Sequence, residues 1–263
     1  MDDIVLFSPS FERHLADLRQ VFQRLQEANL KLKPSKCFLA KRTISYLGHT
    51  VSSEGIHVDP NKVAAVTSYP APRNIKELRS FLGLTGYYRR FVRSYSIIAI
   101  PLYYLTKSDV PSVWTEACET AFQELKDRLV KAPVLAYPDF TKPFRVHTDA
   151  SGFAVGAVLC QEQSDKTVRP IAYAGRSLND SERNYGITEK ECLAFVYAVK
   201  QFECYLRYNH FVAVVDHSAL QWLLNLEKPS LATPVTISLL YHRIPSWPHS
   251  QRCGWTQQEA VPH

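Results

Sequence analysis

Residues 211–215, FVAVV, place apolar side chains on both faces of a strand. A strand apolar on both sides needs cover above and below, and this is the tightest constraint the sequence imposes. The run before it, "TEKECLAFVYAVKQFECYL", repeats apolar residues at helical spacing. Phe195, Val199, Phe202 and Leu206 stand at i, i+4, i+7 and i+11. Earlier still, "FRVHTDASGFAVGAVLCQE" reads as two strands joined around Gly152, and "VRPIAYAGRSL" as a third. Three strands, a helix and a buried strand make an α/β domain with a mixed sheet, starting near residue 137.

The residues before 137 have a different texture. Residues 4–8 read as a strand, and 11–32 as a helix with Leu15, Leu18, Phe22 and Leu25 on one stripe, stopped at Pro34. "CFLAKRTISYLGHTVSSEGIHV" alternates and turns like short strands, punctuated by Gly48 and Gly55. Asp59-Pro60 opens a short helix that Pro70 and Pro72 close. In "NIKELRSFLGLTGYYRRFV", Asn74 and Glu77 have capping-box spacing, and Leu78, Phe81, Leu82 and Tyr88 suit a buried face. Lys76, Arg79, Arg89, Arg90 and Arg93 crowd the same segment among tyrosines. "TEACETAFQELKDRLVKAP" is a further amphipathic helix. Beyond about Leu226 the chain is proline-rich, without sustained periodicity, and no structure is assigned to it.

Composition narrows the class. A chain of 263 residues with 46% apolar side chains can build one large or two ordinary cores. A net charge of +6 suits a nucleic-acid partner without demanding one. The six cysteines show no C-x-x-C spacing, which points to reduced thiols in an intracellular compartment, cytoplasm or nucleus. The longest apolar stretch, residues 97–105, falls well short of the roughly 20 residues that span a bilayer, so no membrane partner is expected.

Three acids stand where chemistry is possible. Asp149 ends the strand "FRVHT", Asp216 ends "FVAVV", and Glu191 sits near the start of the long helix. Carboxylates in such partly buried places call for a cation, and hard oxygen donors suit Mg²⁺ or Mn²⁺. Two such ions about 4 Å apart form the apparatus of in-line phosphodiester cleavage. Taken singly, each acid also has a plainer reading. Glu191 follows Thr188 at capping-box spacing, and the two aspartates could cap turns or helices.

In combination they carry a resemblance. "VHTDASGFAVGAVLCQ", "SLNDSERNYGITEKECLAFVYAVKQF" and "VVDHSALQWLL" resemble the ribonuclease H domain of gypsy-type LTR retrotransposon Pol polyproteins. "MDDIVLFSPSFERHLADLRQVFQRL", "LKLKPSKCFLAKRTISYLGHTVSSEGI" and "IKELRSFLGLTGYYRRFV" are similar to the reverse transcriptase of the same elements. The motifs are long and collinear over roughly residues 1–226. The resemblance implies the end of a reverse transcriptase palm over 1–59 and thumb or connection helices over 60–136. A ribonuclease H-like domain would follow over 137–226, with a divergent tail over 227–263. The fold class is then α/β, an α+β palm and thumb portion followed by a mixed-sheet domain.

Roles follow from the same resemblance. Asp2 and Asp3 would be the last two residues of the polymerase motif, vestigial here because the third palm aspartate and the fingers lie upstream of it. "ISYLGHTVSSEG" would be the hairpin that holds the primer end. Lys76, Arg79, Arg89, Arg90 and Arg93 would line the face of the thumb that meets a template–primer duplex, or else form an ordinary solvated helix face. Asp149, Glu191 and Asp216 would hold two divalent ions and hydrolyse the RNA strand of an RNA–DNA hybrid. Two departures bear on activity. The family's fourth acid is missing, for Asp216 is the last aspartate and only Glu227 and Glu259 follow. Val215 also stands where a threonine is expected. A hybrid-cleaving enzyme, a non-catalytic nucleic-acid binder and a non-functional remnant are therefore the competing expectations.

Overall fold

The computed structural model describes residues 4–108 and 110–215, and the backbone alone of 237–239. The chain divides into two compact units between Tyr137 and Pro138.

The first unit opens with α1 (Phe11–Glu27), whose N-cap Ser10 accepts a hydrogen bond from the Arg13 N–H. Residues 4–8 are irregular, not the strand their apolar run suggests. A strand is defined by its pairing, and none of the described residues pairs with them. Next come β1 (Thr43–Tyr46), β2 (His49–Ser52) and β3 (Gly55–Val58), an antiparallel meander. Gly55 has φ +137°, and a Cβ there would collide with the Leu135 carbonyl oxygen, so only glycine fits. Ile56 and Leu135 exchange backbone hydrogen bonds at that point, at 2.9 and 3.0 Å.

Helix α2 (Pro60–Thr67) starts at Asp59, whose carboxylate accepts the Asn61 N–H at 2.9 Å. α3 (Ile75–Tyr87) is capped by Asn74, which accepts the Glu77 N–H at 2.9 Å. The Glu77 carboxylate accepts the Arg73 N–H and the Asn74 side-chain amide rather than the Asn74 N–H, so the backbone arm of the expected box closes one residue early. α4 (Tyr95–Ile98), α5 (Ile100–Tyr104) and α6 (Glu116–Val130) complete the unit. Leu78, Phe81, Leu82 and Tyr88 are all buried, as their spacing indicates. The core centres on Phe81 against Phe122, ring centroids 4.5 Å apart, with Tyr69 and Trp114 beside them.

The second unit holds a five-stranded sheet of order β6-β5-β4-β7-β8. β4 (Phe144–Ala150), β5 (Ala154–Glu162) and β6 (Val168–Ser177) pair antiparallel. β7 (Phe211–Val214) lies parallel to β4, and β8 (Ile237–Leu239) parallel to β7. The apolar FVAV segment is thus an interior strand, as its two-sided pattern requires. Between β6 and β7 run α7 (Asp180–Arg183), α8 (Ile187–Gln201) and α9 (Glu203–Leu206). The long helix is broken at Phe202; the buried face of α8 is Glu191, Ala194 and Ala198, while Phe202 and Leu206 of the expected stripe are buried at and beyond the break. Alanines let α8 approach the sheet closely, leaving Phe195 and Val199 to flank the contact half-buried.

Candidate active site

β4 is the middle strand, and its burial alternates. Phe144, Val146 and Thr148 are buried, whereas Arg145, His147 and Asp149 occupy the opposite face. Asp149 is exposed at the strand's C-terminal end. Its cross-strand partner is Gly156, which in turn faces Gly175 on β6. The cross-strand positions next to Asp149 on β5 and β6 are thus both glycine. A Cβ at Gly156 would meet nothing nearer than the Asp149 carbonyl oxygen, at 3.9 Å.

Helix α8 runs antiparallel to β4. Midway along it Ala194 packs with Ala150, Val155 and Leu178; beyond its C-terminal end, Tyr205 of α9 lies edge-on to Phe144, centroids 6.2 Å apart. Glu191, one turn before Ala194, accordingly belongs to the Asp149 end of the sheet. It is 8% exposed, the one buried carboxylate among the described residues. The capping reading of Glu191 is overturned. The helix begins earlier, and Glu189 accepts the Gly186 N–H at 2.7 Å in that role. Freed from capping, Glu191 is turned inward.

β7 reaches the same end, since Val214 is in register with His147. Asp216 itself lies outside the described residues, as do Asp2, Asp3, Glu227 and Glu259. Asp149 and Glu191 offer hard oxygen donors at one end of one sheet, a donor set suited to Mg²⁺ or Mn²⁺. A carboxylate withdrawn from water disfavours its own charge, and a nearby cation offsets that cost. Among the described residues no cluster of three or more His, Cys, Asp or Glu residues is present.

One element of this end escaped the sequence reading. Arg176 of β6 donates to both carboxylate oxygens of Glu182, at 2.6 and 2.8 Å, and its guanidinium lies 5.6 Å from the Tyr197 ring. Arg176, helped by the Asn179 N–H, pulls the Glu182 carboxyl down to about 2. These contacts tie β6, α7 and α8 together around the site. No local pattern announces them, because Tyr197 is joined to the pair only by the fold.

The basic residues of the first unit differ among themselves. Lys76, Arg89 and Arg93 are exposed. Arg79 is exposed too, but its guanidinium donates to the Thr106 carbonyl at 3.1 Å. Arg90 is half-buried, its guanidinium 6.0 Å from the Phe91 ring, and its charge helps to depress the pKa of His49. Lys76 and Arg89 are the more open phosphate-binding candidates.

Comparison with known proteins accounts for this arrangement. Residues 1–51 match the family model of the reverse transcriptase (RNA-dependent DNA polymerase), and residues 114–213 that of the RNase H-like domain found in reverse transcriptase. The Pol polyprotein of transposon 297 from Drosophila melanogaster is 45% identical over 231 residues, 87% of this chain and 21% of the polyprotein. That of transposon gypsy, also from Drosophila melanogaster, is 36% identical over 84% of this chain and 22% of its own length. The chain thus spans about a fifth of these curated relatives. In fold it resembles a foamy viral protease–reverse transcriptase solved in complex with an RNA/DNA hybrid. The TM-score is 0.76 and the identity 22%, over 98% of this chain and 37% of that one. A second foamy viral structure, solved with double-stranded DNA, gives a TM-score of 0.75 at 23% identity, over 92% and 54%. Taken together with the strand order, these matches make the chain similar to a portion of a retrotransposon Pol polyprotein, part of a reverse transcriptase followed by an RNase H-like domain.

Proposed function

We propose that the second unit hydrolyses the RNA strand of RNA–DNA hybrids and that the first unit binds template–primer or hybrid duplex. The observation that carries the nuclease reading is the buried Glu191 at the same sheet end as the open Asp149. Asp149, Glu191 and Asp216 would hold two Mg²⁺ or Mn²⁺ ions. Bound there, the ions supply charge neutralisation at the scissile phosphate and a water of lowered pKa. The parallel register of β7 with β4 supports a place for Asp216 in this set.

The chain's own residues do the positioning. Glu191 shares the buried face of α8 with Ala194 and Ala198, while the glycine pair beside Asp149 leaves room for a sugar–phosphate backbone. Lys76, Arg79, Arg89, Arg90 and Arg93 would contribute charge to duplex binding, which reads shape rather than base sequence. The foamy viral relatives were solved with RNA/DNA hybrid and with double-stranded DNA, which supports nucleic acid as the partner class. In this reading residues 1–59 are palm, 60–136 thumb or connection, 137–226 nuclease and 227–263 a divergent tail, and the setting is intracellular.

The test is cleavage of labelled RNA–DNA hybrid in Mg²⁺ and in Mn²⁺, by the whole chain and by Asp149→Asn. Cleavage by the first and not the second supports the enzyme. Salt-sensitive hybrid retention with no cleavage by either would leave a non-catalytic binder and defeat the nuclease reading.

A further inference from the structure

The β1–β2 turn is built from two residues in the left-handed region, Leu47 at φ +46° and Gly48 at φ +71°. Two such residues between the paired Tyr46 and His49 make the primed turn that matches strand twist. Glycine is at ease there; leucine is not, and Leu47 gains no burial in exchange, being 58% exposed. Strain of this kind persists only where the surroundings over-determine it.

Two adjacent tyrosines supply that determination. The Tyr87 hydroxyl donates to the Leu47 carbonyl at 2.6 Å, and the Tyr88 hydroxyl to the Gly48 carbonyl at 2.7 Å. Successive helical residues point about 100° apart. Both reach one turn because Tyr87 ends α3 and Tyr88 already departs from helical geometry, with ψ +11°. Between them His49 is stacked on Tyr87 (centroids 5.4 Å, planes 10° apart), edge-on to Tyr88 at 5.6 Å, and against Phe91 at 5.5 Å. Even a methyl group at Gly48 would stand 3.2 Å from the Tyr88 oxygen. The three strands of this sheet have four residues each, too few to hold a turn rigid unaided.

We propose that Tyr87 and Tyr88 are positioning residues, locking the Leu47–Gly48 turn onto the end of α3 so that hairpin and arginine-bearing segment meet a nucleic-acid duplex as one surface. The proposal rests on the duplex-binding reading of the first unit. The aromatic pair leads directly into Arg89, Arg90 and Arg93, so whatever fixes the hairpin fixes it relative to those charges. Burial also pushes the Tyr88 hydroxyl up to about 12, keeping it a proton donor across the working pH range.

The experiment is a double-mutant cycle on the whole chain, read as the Kd for a labelled hybrid duplex at fixed salt. One arm is Tyr87→Phe with Tyr88→Phe, which removes two hydroxyls and keeps the packing; the other is Arg89→Ala with Arg93→Ala. The tyrosine pair should weaken binding by roughly tenfold through loss of the docked population. Combined with the arginine pair, it should cost clearly less than the product of the two separate effects. Amide exchange at Leu47–Thr50 should quicken in the tyrosine variant while the thermal midpoint of the chain hardly moves. Binding by the tyrosine variant equal to wild type, or strict multiplicativity in the cycle, overturns the positioning role. Failure of the wild-type chain to bind any duplex overturns the duplex-binding reading, and the positioning role with it.

Discussion

Two single residues concentrate the energetics. His49 sits among Tyr87, Tyr88 and Phe91, and burial followed by the Arg90 charge lowers its pKa, with Asp59 acting weakly the other way. The fold therefore favours neutral imidazole. The unfolded chain binds the extra proton first, so this contribution is whole above the ordinary histidine value of 6.5 and fades as pH falls through the lower folded value. Thermal melting between pH 8 and 5 should show the first unit losing stability on the acid side, and His49→Phe should flatten that slope. An equal slope in the variant would assign the loss to other groups. Glu191 is the buried carboxylate of the candidate site. Glu191→Gln keeps the shape of the side chain and removes its charge, and should abolish hybrid cleavage while an unchanged urea midpoint shows the second unit still folded. Retained cleavage in that variant would remove Glu191 from the site.

Elements differ in how well their patterns are answered. α6 packs mainly on α2 and α5 and meets α3 through the Phe81–Phe122 ring pair, with Tyr69 and Trp114 beside it. α1 has an equally regular stripe yet buries nothing among the described residues; Phe11 is 60% exposed, Leu15 43% and Phe22 41%. A helix of 17 residues without tertiary cover is marginal in water. The β2–β3 turn is the reverse, held at one point. Gly55→Ala would force a Cβ into the Leu135 carbonyl at a φ that L-residues avoid, and would break the paired hydrogen bonds of Ile56. A loss of about 2–4 kcal/mol in urea unfolding is expected, against little change for Gly83→Ala, where a Cβ meets nothing.

Across the whole molecule the two units carry different demands. The first brings the basic helix end and the clamped hairpin; the second brings carboxylates around one sheet end. Ions that bind only the folded site stabilise it by mass action. Millimolar Mn²⁺ should therefore raise the thermal midpoint of the wild-type chain by a few degrees and leave Asp149→Asn unmoved. Excess chelator should reverse the shift. A shift that persists in the variant would locate the ions elsewhere. Among the described residues no helix is long and apolar enough to cross a membrane.

By itself the sequence determined the sheet-and-helix order of the second unit and the cap of α3. Both follow from local rules: the side-chain period of 2 or 3.6, and the short reach of Asn74 to a free N–H. It also brought Asp149 and Glu191 forward as candidates, since strand ends and helix starts are local properties. The tertiary structure decided what local rules cannot reach. Residues 4–8 have the composition of a strand but no pairing partner among the described residues. Glu189 won the helix cap that spacing offered to Glu191. Alanines took the buried face of α8, because the sheet's proximity set the volume available there. The tyrosine clamp joins residues 40 positions apart, and such a contact exists only once chain folding has closed the intervening loop.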